Sequence, residues 1–225
     1  MYYDWTAILL IPGLLLGLWA QYKVQSAYKK YRKIATRRGV PAQQVVREIL
    51  DRSGNGNVSV KPTGGRLTDH YDPRNNTLSL SDGVFGSADI AAVGIAAHEC
   101  GHAMQRNSGY GPLKLRSAVV PVVNIGTRLY FPIFLLGIVF SWQPLVNIGI
   151  LCFALTLVFS LITLPVEFDA SRRAIATLSE GDYVTEEELR GVRKVLSAAA
   201  LTYVAAAISS LLQLLRLLII ARRRD

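Results

Sequence analysis

The chain holds three histidines, and two of them stand four apart in "AAHECGHAMQ", residues 96–105. On a helix His98 and His102 fall one turn apart on one face, the arrangement needed to offer two imidazole nitrogens to a single metal ion. Glu99 lies to one side of that pair, where its carboxylate can reach a water without taking a ligand position. His-Glu-x-x-His therefore reads as two zinc ligands and a general base. The alternative is two histidines satisfied within a helix bundle. Cys100 is two positions from each histidine, on the other side of the helix, and reads as packed core. A catalytic zinc takes three protein ligands and keeps one position open. The third ligand has to come from elsewhere in the chain.

Composition limits where that can be. Of the 225 residues 51% are hydrophobic and only 18% charged, and mean hydropathy is +0.28. The apolar residues form long runs: Trp5 to Tyr22, Leu129 to Val166 and Val195 to Leu215 carry no charge. A membrane crossing needs about 20 apolar residues. The middle run is long enough for most of two crossings and is interrupted by Ser141-Trp142-Gln143-Pro144, a turn with a Trp at headgroup level. Four spans are expected, at about 5–22, 118–141, 145–166 and 197–217, in a mainly α integral membrane protein. Asp4 precedes the first run, and Lys23, Lys29, Lys30, Arg32, Lys33, Arg37 and Arg38 follow it. That is the reverse of a secretory signal, and the positive-inside rule puts residue 23 onward in the cytoplasm. The cytoplasmic parts are then 23–117 and 167–195. Four crossings leave Arg222, Arg223 and Arg224 outside, against that rule, unless the last helix is not a full crossing. The net charge of +9 is explained largely by these juxtamembrane clusters, so the lipid bilayer and not nucleic acid is the expected partner. Arg128 faces a polar cavity if it lies within a span, or marks a helix that starts above the membrane. Two cysteines, Cys100 and Cys152, make no structural disulfide and fit a reducing face.

Between the spans the elements are short. Val24, Ala27, Tyr28, Tyr31 and Ala35 recur at helical spacing among lysines, ended by Gly39 and Pro41. A helix is expected over about 42–52 and a strand over 58–60. In "LTDHYDPRNNTLSLSDG" turns fall at Asp72-Pro73 and Asn75-Asn76, and Thr77-Leu78-Ser79-Leu80-Ser81 alternates as a half-buried strand. Ser87 can cap a helix from about Ala88 to Arg106, which carries the histidine pair. Thr185 and Glu188 form a capping box before the last helix.

An even number of crossings must separate His102 from a third ligand on the same side. The first carboxylate that satisfies this is Glu167, in "LPVEFDASRRAI". Pro165 can begin a helix on which Glu167 and Ser171 share a face while Asp169 turns away. Otherwise Glu167 is an interfacial carboxylate paired with Arg172 or Arg173.

"LTDHYDPRNNTLSLSDGVF", "AAHECGHAMQ" and "PVEFDASRRA", with the single N-terminal span, resemble the bacterial YugP-like neutral zinc metallopeptidases over nearly the whole chain. The chain is more distantly similar to the membrane gluzincins, the heat-shock membrane proteases and CAAX-prenyl proteases. That resemblance implies a small cytoplasmic α+β zincin-like region and a glutamate, after a transmembrane pair, that completes the zinc site. The relatives read Glu-x-x-Ala-Asp, with the Asp orienting a ligand histidine; this chain reads Glu167-Phe168-Asp169-Ala170-Ser171, so Ser171 stands in the Asp position. Asp169 is then free to support Arg172.

The expected reaction is hydrolysis of a peptide bond by one zinc per chain, held by His98, His102 and Glu167, with Glu99 as general base. The competing reading is an idle zinc-binding membrane scaffold or chaperone, for which a base at Glu99 has no use. A site at the cytoplasmic lip of the plasma membrane suits membrane-protein substrates, and cleavage within the bilayer is a further reading. Substrate is expected to add as a strand along an edge formed by Thr77, Leu78, Ser79, Leu80 and Ser81. His70 sits between Asp69 and Asp72, carboxylates that would hold its ring charged and able to donate to an oxyanion. Tyr71, Tyr110, Arg172 and Tyr203 are the other oxyanion candidates. Nothing in the sequence names a membrane partner or an oligomeric state.

Overall fold

A computed structural model describes residues 5–222; Asp4, Arg223 and Arg224, used above for topology, lie outside the described residues. A 3-10 turn, Trp5–Leu10, leads into α1 (Ile11–Tyr31). There follow α2 (Ala42–Arg52), β1 (Ser59–Thr63), β2 (His70–Asp72), β3 (Thr77–Ser81), α3 (Asp82–Phe85), α4 (Ile90–Asn107), α5 (Gly111–Val139), α6 (Gln143–Glu180) and α7 (Glu186–Arg222). Four of these segments, Trp5–Tyr31, Gly111–Val139, Gln143–Glu180 and Glu186–Arg222, are long and apolar enough to cross a membrane. The chain divides into two compact units: residues 5–21, 114–165 and 201–222 form one, and Tyr22–Leu113 with Val166–Ala200 the other.

The first unit is helical. α5 and α6 meet through glycines: a Cβ on Gly137 would come within 2.6 Å of the Val146 nitrogen, and one on Gly149 within 2.8 Å of the Phe134 backbone. Small residues of this kind let apolar helices approach closely where water supplies no driving force. Phe134, Val146, Ile150 and Phe153 cluster there with Leu217 and Ala221 of α7. The expected turn is present, with Ser141 at φ +50° and Trp142 exposed. Arg128 is exposed on α5. Two expectations about helix ends are corrected. α1 ends at Tyr31, short of Ala35 and of the expected stop at Gly39 and Pro41. Pro165 does not start a helix but lies inside α6. A ring there removes one backbone bond and the turns on either side persist.

In the second unit α4 is the core element. Ala91, Ala92, Ala96, Ala97 and Ala103 are all buried, and their small side chains let neighbours close in on several sides. Gly94 admits Val192 of α7, and Gly101 admits the backbone of α6 at Ala170. The N-cap of α4 is Asp89, whose carboxylate accepts from the Ala92 N–H at 2.8 Å; Ser87, the expected cap, instead donates to Asp89. Such a cap contributes about 1 kcal/mol. The helix, expected to run to about Arg106, ends at Asn107 and is closed by Gly109, φ +66°, where Tyr110 N–H donates to the Gln105 carbonyl at 2.9 Å and Gly109 N–H to that of Arg106 at 3.1 Å. This pair of bonds needs a left-handed residue, which glycine adopts without penalty. The capping box of α7 forms as expected: Thr185 N–H donates to Glu188 at 2.8 Å, and Glu188 N–H to Thr185 Oγ1 at 3.3 Å.

The sheet overturns one expectation. Its order is β1-β3-β2, with β1 parallel and β2 antiparallel to β3. Thr77–Ser81 is therefore the central strand and not an edge. β1 pairs along its whole length, from Ser59↔Thr77 to Thr63↔Ser81. β2 covers Thr77 to Ser79, and beyond it the Asp69 carboxylate takes the Ser81 N–H at 2.8 Å and its hydroxyl at 2.9 Å. No row of backbone groups is left on this strand for a substrate. Leu78 and Leu80 are fully buried, each contributing about 1.5–3 kcal/mol. That burial explains the alternation that the sequence shows.

Candidate metal centre

The histidine-bearing face of α4 meets α6 at one close crossing. A Cβ on Gly101 would stand 2.4 Å from the Ala170 carbonyl oxygen, so only glycine allows this approach. The contact sets Glu167, one turn before Ala170 on α6, opposite the two histidines. His98 Nε2 lies 3.2 Å and His102 Nε2 3.7 Å from Glu167 Oε2. The two rings stand edge to face, 4.8 Å between centroids. Glu167 is buried, with 3% of its surface exposed.

The donors fit a zinc ion. Ligand atoms of His98, His102 and Glu167 all lie within 4.8 Å of one another. Bonds of about 2.0–2.1 Å at tetrahedral angles put ligand atoms about 3.3 Å apart, between the two distances found here. Each ring is also held from behind. Ser171 Oγ is 3.1 Å from His98 Nδ1, and Gln105 Oε1 is 3.0 Å from His102 Nδ1. Both rings thus turn Nε2 toward Glu167. Burial alone would favour neutral His102, but the Glu167 carboxylate, with Glu99 and the Gln105 oxygen, more than offsets it and raises the pKa of that ring. Glu99 is itself buried, yet among the described residues its carboxylate has no hydrogen-bond or ion-pair partner. Cys100 is buried on the far face, its Sγ 4.0 Å from the Val46 carbonyl; burial pushes its thiol pKa up and keeps it protonated.

On α6 the predicted faces hold: Ser171 joins Glu167 at His98, and Asp169 turns elsewhere. Asp169 is paired chiefly with Arg173, Nε at 2.6 Å, and only loosely with Arg172 at 3.7 Å. The expected pairing with Arg172 is thus present, but the i,i+4 partner Arg173 is the closer one, and Arg172 projects into solvent with 76% of its side chain exposed. Asp169 also accepts from Gln105 Nε2 at 3.0 Å. Gln105 is the residue that sequence reasoning missed. It continues the stripe His98, His102 by three positions, which marks its face in the sequence, but its burial and its partners on α6 are visible only in the structure.

The oxyanion candidates are dispersed. His70 is exposed at the start of β2, its Nδ1 2.8 Å from the Thr68 carbonyl. The flanking carboxylates do not enclose it: Asp69 caps Ser81, and Asp72 holds the turn through Arg74 N–H at 2.9 Å and Asn75 at 2.8 Å. Strand alternation sends neighbours of His70 to the opposite face. Tyr71 donates its hydroxyl to Asn76 at 2.8 Å. Tyr110 stacks under Arg173, 5.7 Å from ring centroid to guanidinium. Tyr203 belongs to the first unit.

A family model described as "Putative neutral zinc metallopeptidase" matches residues 6–222. The chain is 44% identical over 212 residues to "Putative membrane protease YugP" of Bacillus subtilis (strain 168), covering 94% of this chain and 94% of that protein. No solved structure matches.

Proposed function

From a chain that belongs to the family described as "Putative neutral zinc metallopeptidase", we propose a membrane endopeptidase of the gluzincin kind that hydrolyses peptide bonds in membrane or membrane-proximal proteins. One observation carries this reading: two imidazole Nε2 atoms and a buried carboxylate converge from two helices. His98, His102 and Glu167 hold one zinc per chain. When bound, zinc supplies Lewis acidity, bringing the pKa of water to about 7 and polarising the scissile carbonyl. Glu99 takes the proton of the attacking water and returns it to the leaving amine. Among the described residues no hydrogen bond or ion pair ties up its carboxylate, which leaves that proton acceptor available. Ser171 fixes the His98 ring as the carboxylate of the distant relatives does, with a neutral and weaker bond.

The α2–β3 region and α4 form a zincin-like cytoplasmic part, and the whole chain acts as one membrane-embedded peptidase in the plasma membrane. The support for that placement is sequence: Glu167 is the first residue after the uncharged run ending at Val166, and the basic cluster 23–38 follows the first span. Membrane proteomics of cells carrying Glu99→Gln tests the substrate class. Uncleaved membrane proteins should accumulate there. Accumulation only of soluble peptides would move the substrate off the membrane.

A further inference from the structure

The Gln105 side chain does more than fill space beneath His102. Its Nε2 donates in two directions, to the Val166 carbonyl at 2.7 Å and to Asp169 Oδ2 at 3.0 Å. Both partners are acceptors only, so the amide cannot be turned over without setting its oxygen against two oxygens. Its Oε1 is therefore committed to His102 Nδ1, 3.0 Å away. An oxygen there can only accept, so His102 carries a proton on Nδ1, and in the neutral ring that a metal needs the Nε2 lone pair faces the metal position. Asp169 is in turn held by the Arg173 guanidinium at 2.6 Å. Val166 immediately precedes Glu167, so one buried side chain ties the second histidine on α4 to the backbone beside the carboxylate ligand on α6.

We propose that Gln105 is a positioning residue that fixes the tautomer of His102 and the spacing of His102 from Glu167, and so sets how tightly the site holds its metal. This rests on the zinc assignment above. The two histidines are then oriented by independent devices: Ser171 holds His98 from α6, and Gln105 holds His102 from its own helix while being anchored on α6. Gln105 is fully buried, and an apolar side chain of its volume occupies the space a replacing water would need. Its loss leaves His102 free to adopt the tautomer that points a proton at the metal position. Asp169 and Arg173 act one step further out, by keeping the amide from rotating.

The test is zinc affinity of the purified full-length protein in detergent, by chelator competition, beside the His102 tautomer read from imidazole nitrogen shifts. Gln105→Met keeps the volume and removes the acceptor. It should bind zinc about 10–100-fold more weakly, with His102 a mixture of tautomers and the His98 signals unchanged. Gln105→Glu restores an acceptor and, when protonated, a donor to Val166. It should lie closer to the parent than Gln105→Met does. Gln105→Met within about threefold of the parent, or Gln105→Glu no better than Gln105→Met, overturns the proposal, since outer partners of metal ligands ordinarily act at tenfold or more. If Gln105→Met does not fold, Gln105→Glu decides alone: an Nδ1-protonated His102 supports the proposal and a mixture overturns it. A parent chain that binds no zinc fails the functional reading itself. A parent that binds zinc beside an indifferent Gln105→Met fails only this inference.

Discussion

Histidine and carboxylate meet in two regions of this molecule, and the two meetings differ in kind. At β2, His70 stands between Asp69 and Asp72 in sequence, yet it is exposed and its ring is held by Thr68, two residues away. At the α4–α6 crossing, His98 meets Glu167 and Ser171 from 69 and 73 residues away, and the whole group is largely enclosed. An exposed imidazole beside local turn carboxylates is in water, where charges a few ångströms apart interact by about 1 kcal/mol. Enclosed donors on separate helices cannot be satisfied by solvent and hold their geometry. Adjacency along the chain placed acids beside His70 that cap Ser81 and the following turn. Helix packing placed one beside His98 that fits a metal.

The comparison breaks most visibly if the enclosed group is not a metal site. His98→Ala, His102→Ala and Glu167→Ala should each lose bound zinc, measured as metal per chain after purification, because two protein ligands and water do not replace three. Glu167→Ala that still holds zinc tightly would make Glu167 a structural ion-pair partner. The crossing itself can be attacked without touching a ligand. Gly101→Ala puts a methyl into the Ala170 carbonyl, and overpacking of this sort costs about 1–3 kcal/mol. Zinc affinity should fall although all three ligands remain; an unchanged affinity would mean the helices can part without disturbing the site.

Proton competition sharpens the comparison further. His102 holds its proton more tightly than a free imidazole, and the metal needs the ring neutral. Apparent zinc affinity should therefore drop as pH falls below the His102 pKa, about tenfold per unit for each proton displaced. In the metal-free chain the sign is opposite. The raised pKa contributes stability that is full below the unfolded value, about 6.5, and is lost as pH rises through the folded one. Thermal midpoints of metal-free and zinc-loaded protein across that window would show opposite trends. Parallel trends would remove His102 from the metal. The smallest effect is expected at β2: His70→Ala should leave turnover and zinc content near the parent values, and a loss of about 10²–10³ in turnover would return His70 to the reaction.

What could be read from the sequence follows the same division. The His98–Glu99–His102 stripe, the turn at Ser141–Trp142 and the capping box of Thr185 and Glu188 depend on spacing within one or two turns, and each was legible. The four long apolar helices were legible from composition. The neighbours of β3 were not, because alternation in Thr77–Ser81 reports burial of Leu78 and Leu80 and says nothing of which strands lie alongside. Pro62 in β1 was a usable sign, since proline lacks the N–H that an interior strand needs and belongs on an edge. The role of Gln105 depends on Val166 and Asp169, 61 and 64 residues away, and no local pattern encodes that. Asp89 displaced Ser87 as a cap because Ser87 could donate to it, a choice that the two neighbouring cap residues leave open.

The central claim is that the enclosed group divides into residues that hold metal and one that moves a proton. Glu99→Gln separates the two in a single purified protein. Zinc content should stay near one per chain while peptide hydrolysis falls by about 10²–10⁴, the usual contribution of a general base. A Glu99→Gln protein that loses its zinc, or one that keeps its full rate of hydrolysis, would contradict the account.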